Sequence, residues 1–297
     1  MRTVKVTAAA LLALGCAGWG VGGAEDRERD GYRIVTWSTL SNRDFSPLVR
    51  LVQEREGAHW RYAESDRVIA HAASVAELAV MMEEAHHAWQ VAGRQLALPE
   101  PRSRVRLVPV YQAATWEQLG KEAGIRPDGL ALQAGPDILL KQEASQTSRL
   151  DRVAHELVHF RLREAYGDAL PLWLEEGLAT SMGVSLARAF HDGQGILLAG
   201  TWPAAPAEAL LEPDALLNLR DYPPSPGAAQ AFGRQAAELV QLLRERIGAD
   251  RWPMAVREIG QRGDWRSVLA SGYGVDVNEV KQMAARAAAL AVQPWVF

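Results

Sequence analysis

The segment Val153-Ala-His-Glu-Leu-Val-His-Phe160 places the tightest constraint on how this chain can fold. His155 and His159 stand four residues apart, so on an α-helix they share one face and both imidazoles can reach a single ion. Leu157 and Val158 between them are apolar, which makes the helix amphipathic, with one side for a core. Zinc accepts neutral imidazole at about 2.0–2.1 Å and favours tetrahedral geometry. Glu156 follows the first histidine and points beside the ion, where a base must sit to take a proton from an attacking water.

The surrounding residues predict two consecutive helices. The first runs over 149–166, with Ser148 as its cap, Asp151 in a first turn that favours negative charge, and Gly167 as its terminator. The second starts near Pro171, a residue tolerated at a first helical position, and ends near Gly183. In Leu170-Pro-Leu-Trp-Leu-Glu-Glu-Gly-Leu-Ala179 the second helix folds back on the first. Glu176 then supplies a third ligand and leaves a fourth position for water, as a catalytic zinc requires. Gly177 removes a side chain where the two helices meet.

HExxH followed by Trp-Leu-x-Glu-Gly-x-Ala resembles the gluzincin metallopeptidases, in particular the peptidase MA-like domains of exported bacterial proteins. The specific similarity covers residues 152–182, and a similarity of layout extends from about 60 to 262. The resemblance implies a zincin-like fold, zinc as cofactor, His155, His159 and Glu176 as ligands, and Glu156 as base. Glu176 is preferred to Glu175 because the family's ligand directly precedes the glycine. Such domains often carry a tyrosine at the start of a later helix, in a context like Phe-Tyr-Arg-Gln. Here Ala231-Phe-Gly-Arg-Gln-Ala236 has Gly233 at that place. A tyrosine hydroxyl there can stabilise a developing oxyanion. Tyr222 and Arg234 are the candidates to replace it; Tyr222 also reads as a loop aromatic held by Pro223 and Pro224.

Residues 1–24 read as a secretory signal peptide: Arg2 and Lys5, an apolar run over 6–19, then Gly22-Gly23-Ala24 before a charged stretch. Leu12-Ala-Leu-Gly-Cys16 loosely resembles a lipobox, which gives a lipid anchor on Cys16 as the alternative. Export predicts a periplasmic or extracellular location. Cleavage after Ala24 removes two cations and leaves 30 basic against 36 acidic residues, a net charge of −6, and no cysteine. An acidic chain of this kind is not expected to bind nucleic acid. No other segment approaches a membrane span.

The remaining elements suggest an α+β fold with helix and sheet first and helices afterwards. Residues 25–145 form a lead-in, irregular over 25–58, and an α/β lobe; 146–190 hold the helix pair; 191–297 form a helical lobe. Arg61–Ser65 is a candidate strand. Ser74 caps a helix over 74–96, with Glu77 three residues on. Residues 104–111 alternate as a strand, with Arg104 and Arg106 on one face and Val105, Leu107 and Pro109 on the other. A short helix is expected over 115–123, and two strands over 129–133 and 137–141. The sheet is expected to be small, antiparallel or mixed. The clearest later helices are 229–247, 250–261 and 276–291.

His86 and His87, beside Glu83 and Glu84, are read as a solvated helix face, His191 as a loop residue, and His59 and His71 as without local partners. The pattern points to a zinc peptidase acting on peptide or protein substrates, with Asp137–Lys141 as an edge strand that pairs with an extended peptide. The alternative is a zinc-stabilised binding module without catalysis.

Overall fold

A computed structural model describes residues 27–29, 31–41, 43–123, 131–142, 147–193, 201–202 and 204–296. The expected signal segment and Cys16 lie outside these residues, as does the side chain of His191. The fold is mixed α+β. A seven-stranded sheet has the order β1 (Arg27–Arg29), β2 (Tyr32–Val35), β3 (Arg61–Glu64), β4 (Val68–Ala72), β5 (Val105–Val110), β7 (Asp137–Lys141) and β6 (Ala131–Ala134). β4–β5 and β5–β7 are parallel, and the other pairs are antiparallel. Parallel neighbours need crossovers, and helices α2 (Val75–Leu96) and α3 (Ala113–Ala123) provide them on opposite faces. Val68, Ala70, Val105, Leu107, Ile138 and Leu140 point into the main core with α2 and α4 (Thr147–Tyr166). Ile69, Val108, Val110 and Leu139 point the other way, into a smaller core closed by α1 (Pro47–Glu56) and α3.

The sheet is larger than the sequence suggested. The stretch read as irregular contains β1, β2 and α1, the last capped by Ser46, whose hydroxyl accepts from the Val49 amide. β4 escaped notice because it is buried on both faces and so shows no alternation. β5 has Val105 and Leu107 on one face and Arg106 on the other, as expected, and both faces are buried. Arg106 points into the smaller core, paired with Asp137 at 2.8 Å and lying over the Phe45 ring. β7 runs between β5 and β6, so Asp137–Lys141 is not an edge strand; among the described residues the edge on that side is β6, and β1 forms the edge on the other.

α4 begins at Thr147, so Ser148 lies inside the helix and does not cap it. Gly167 ends it as expected, at φ +59°, with its amide bonded to the Arg163 carbonyl at 2.8 Å. α5 (Leu172–Gly193) continues through Gly183. That glycine is a contact point and not a stop: a Cβ there would lie 2.8 Å from the Asp151 carbonyl oxygen and 3.3 Å from the His155 Cβ. The close α4–α5 approach expected at Gly177 is therefore at Gly183. Gly177 faces α7 (Pro226–Ile247), where a Cβ would stand 2.5 Å from the Ala236 carbonyl oxygen.

The C-terminal region is mainly helical, with α6 (Pro213–Asn218), α8 (Trp252–Arg262), α9 (Trp265–Tyr273) and α10 (Val277–Ala291), but it also holds a small antiparallel pair, β8 (Thr201–Trp202) with β9 (Trp295–Val296), that the sequence did not suggest. One buried cluster runs from Tyr32 to Ala287 and joins the three expected segments. His86 and His87 are half-buried and not on a solvated face, because α2 is covered by the sheet, α4 and α8. His86 Nε2 lies 3.0 Å from the Ser65 hydroxyl. Among the described residues no helix is long and apolar enough to cross a membrane.

Candidate metal centre

Helix α4 buries Val153, Ala154, Leu157, Val158 and Phe160 in the main core, which turns His155 and His159 toward α5. The two Nε2 atoms are 3.1 Å apart. α5 brings Glu176 to them, with Oε2 at 3.3 Å from His159 Nε2 and Oε1 at 3.8 Å from His155 Nε2. Ligand atoms on a tetrahedron with bonds of 2.0–2.1 Å lie roughly 3.3 Å apart. The two Nε2 atoms are near that spacing, one ligand atom from each of the three side chains lies within 4.8 Å of the others, and two imidazoles with one carboxylate suit zinc. Among the described residues His155, His159 and Glu176 form the only such group of possible metal ligands.

Each ligand is held from behind. Glu175 accepts from His159 Nδ1 at 2.7 Å, so His159 presents Nε2 to the cluster. Arg163 Nε donates to the same Glu175 oxygen at 2.9 Å. The Thr180 hydroxyl donates to Glu176 Oε1 at 3.1 Å, and the Tyr222 hydroxyl to Oε2 at 2.7 Å. Burial pulls His159 down, but the bonds to Glu175 and Glu176 outweigh it and push the imidazole up to about 10. Burial pulls His155 below its ordinary value despite the charge of Glu176. Glu176 is held well below the usual carboxylate range; its burial works in the other direction, but the two imidazoles and the Tyr222 hydroxyl prevail. Burial and the Glu176 charge raise the Tyr222 phenol, which keeps it a hydrogen-bond donor.

Glu156 is half-buried beside the cluster, and its charge acts on His155, His159 and Tyr222. Tyr222 is 46% exposed, yet its hydroxyl turns inward while its ring meets Phe232 edge-on. It is therefore part of the site and not only a loop aromatic. Arg234 is not: it is buried against the Trp295 ring, 3.3 Å from Glu238 and bonded to the Gln293 carbonyl. Gly233 lies directly behind the third ligand, where a Cβ would stand 2.9 Å from Glu176 Oε1. A tyrosine there would displace the carboxylate; the phenol that does reach Glu176 is that of Tyr222.

Sequence reasoning missed Glu175, Thr180 and Arg163. Thr180 and Arg163 each follow a ligand by four residues, one turn along the same face, which was a readable signal. Glu175 was set aside as the weaker of two adjacent candidates, although a helix can turn both carboxylates toward one cluster. The chain matches no protein-family model and no curated protein.

Proposed function

We propose that this chain is a zinc-dependent peptidase of gluzincin type, with a zincin-like fold, exported to the periplasm or cell exterior. One observation carries the reading: two imidazoles and a carboxylate converge to within 4.8 Å of one another, with Glu156 beside them on the histidine helix. Zinc bound there would supply Lewis acidity toward a peptide carbonyl and toward water.

The chain's own residues account for the rest. His155, His159 and Glu176 hold the ion, and Glu175 and Thr180 fix their orientation. Glu156 takes the proton from the attacking water and returns it to the leaving amine. The Tyr222 hydroxyl, poised on Glu176, donates to the oxygen that gains charge in the transition state. β6 offers the free edge of the sheet on the side packed against α4, where an extended peptide can add as a further strand. A second reading, a zinc-stabilised binding module, draws on the same bond: the Tyr222 hydroxyl is already engaged with Glu176.

Metal analysis and casein cleavage distinguish the readings. Wild type, Glu156→Gln and Tyr222→Phe should each hold about one zinc per chain. Wild type should cleave casein. Glu156→Gln should lose roughly 10²–10⁴-fold of that rate, and Tyr222→Phe should lose kcat with KM little changed. A wild-type protein that holds zinc but cleaves neither casein nor a peptide library is the binding module. One that holds no zinc is neither.

A further inference from the structure

The hydrogen bonds behind His159 do not stop at Glu175. Arg163 Nε bonds Glu175 Oε1 at 2.9 Å, and Arg163 Nη1 reaches the Gln133 side-chain oxygen at 3.2 Å. Gln133 lies on β6, paired with Ile138 of β7 on one side and, among the described residues, with no strand on the other. Its amide nitrogen bonds the Gly135 carbonyl at 3.1 Å, which fixes the side chain over the β6–β7 turn. A continuous path therefore leads from the free edge of the sheet to a metal ligand: Gln133, Arg163, Glu175, His159. Only a guanidinium makes both links at once, because its donors are fixed in a planar fork. The Arg163 side chain is 41% exposed and the Glu175 side chain 9% exposed. The pair is thus half open to water, and its value lies in direction more than in stability.

We infer that Arg163 is a positioning residue with two tasks, holding Glu175 so that His159 keeps its aim at the ion and holding β6 at a fixed distance from the metal centre. The inference rests on the proposed zinc site and adds to it that the strand offered to a peptide and the ligand offered to the ion share one anchor. Loss of the Glu175 bond leaves that carboxylate free to turn away from His159. Loss of the Gln133 bond leaves β6 attached to the body of the protein through β7 and its packing on α4. The two effects are separable, because Gln133 touches only one of them.

The test uses zinc affinity, measured against a competing chelator, and amide hydrogen exchange over residues 131–134. Neither readout needs a substrate. Arg163→Ala should weaken zinc binding by about tenfold, in the range for loss of an outer partner of a ligating histidine, and should speed exchange in β6. Gln133→Ala should speed exchange in β6 with zinc affinity within about twofold of wild type, and Arg163→Lys should restore zinc affinity but not β6 protection. The inference is overturned if Arg163→Ala binds zinc as wild type does, or if β6 exchange is the same in all four proteins. A wild type that binds no zinc overturns the proposed function as well, so the two failures are told apart.

Discussion

Among the described residues histidine is fully buried at two places, and they make opposite use of it. At the metal centre His159 has a carboxylate at each ring nitrogen, Glu175 at 2.7 Å and Glu176 at 3.3 Å. Across the sheet, His71 on β4 sits among Phe45, Trp60 and Tyr62, with ring centroids 5.1–5.3 Å away, and neither nitrogen has a hydrogen-bond partner. Both side chains are removed from water. The carboxylates push His159 up, whereas burial and the nearby Arg106 charge drive His71 well below the ordinary imidazole value. Burial beside a positive charge therefore keeps a histidine neutral, whereas an acceptor behind the ring orients it as a ligand must be oriented.

The sharpest way to break this contrast is to remove each kind of histidine. His155→Ala with His159→Ala should abolish zinc uptake in equilibrium dialysis, whereas His71→Leu should retain about one zinc per chain. A His71→Leu protein without zinc would merge the two sites. Next in size is the carboxylate itself. Glu175→Gln keeps the shape and removes the charge, and should weaken zinc binding by about 10–100-fold in a chelator competition. Unchanged affinity would show that the acceptor behind His159 contributes nothing.

The smallest effect is one of pH. The folded-state pKa of His71 is depressed, so below about 6.5 the unfolded chain takes up a proton that the folded chain refuses. Stability therefore falls as pH drops through that value, at up to about 1.4 kcal/mol per pH unit. His71→Leu removes this contribution, and its urea-unfolding free energy should fall less steeply than that of wild type between pH 7 and 5. Parallel curves would mean that His71 is protonated inside the fold after all.

The metal helix was legible because its chemistry and its periodicity coincide: the residues that face the ion and those that face the core alternate with the helical turn. The cap at Ser74 was readable for a similar reason, since its hydroxyl accepts from the Glu77 amide within one local motif. The sheet was harder. β4 is buried on both faces, so the alternation that reveals a half-buried strand is missing there; β5 does alternate in sequence, but its Arg106 is buried because Asp137, distant in sequence, supplies its partner. Gly183 read as a helix stop because nothing local shows that α4 will press against it. Tyr222 and Gln133 belong to the same class. Their roles depend on residues distant in sequence, Glu176 and Arg163, and no short-range pattern marks them.

Helix α5 is flanked by main chain at two of its glycines, with Gly183 against α4 and Gly177 against α7. Side chains can swing, but two backbones in contact cannot be brought nearer or slid apart without unpacking the core between them. The separation of the α4 and α5 backbones that carry His155, His159 and Glu176 is therefore inherited from the architecture, so an ion held between them would demand little rearrangement of the main chain.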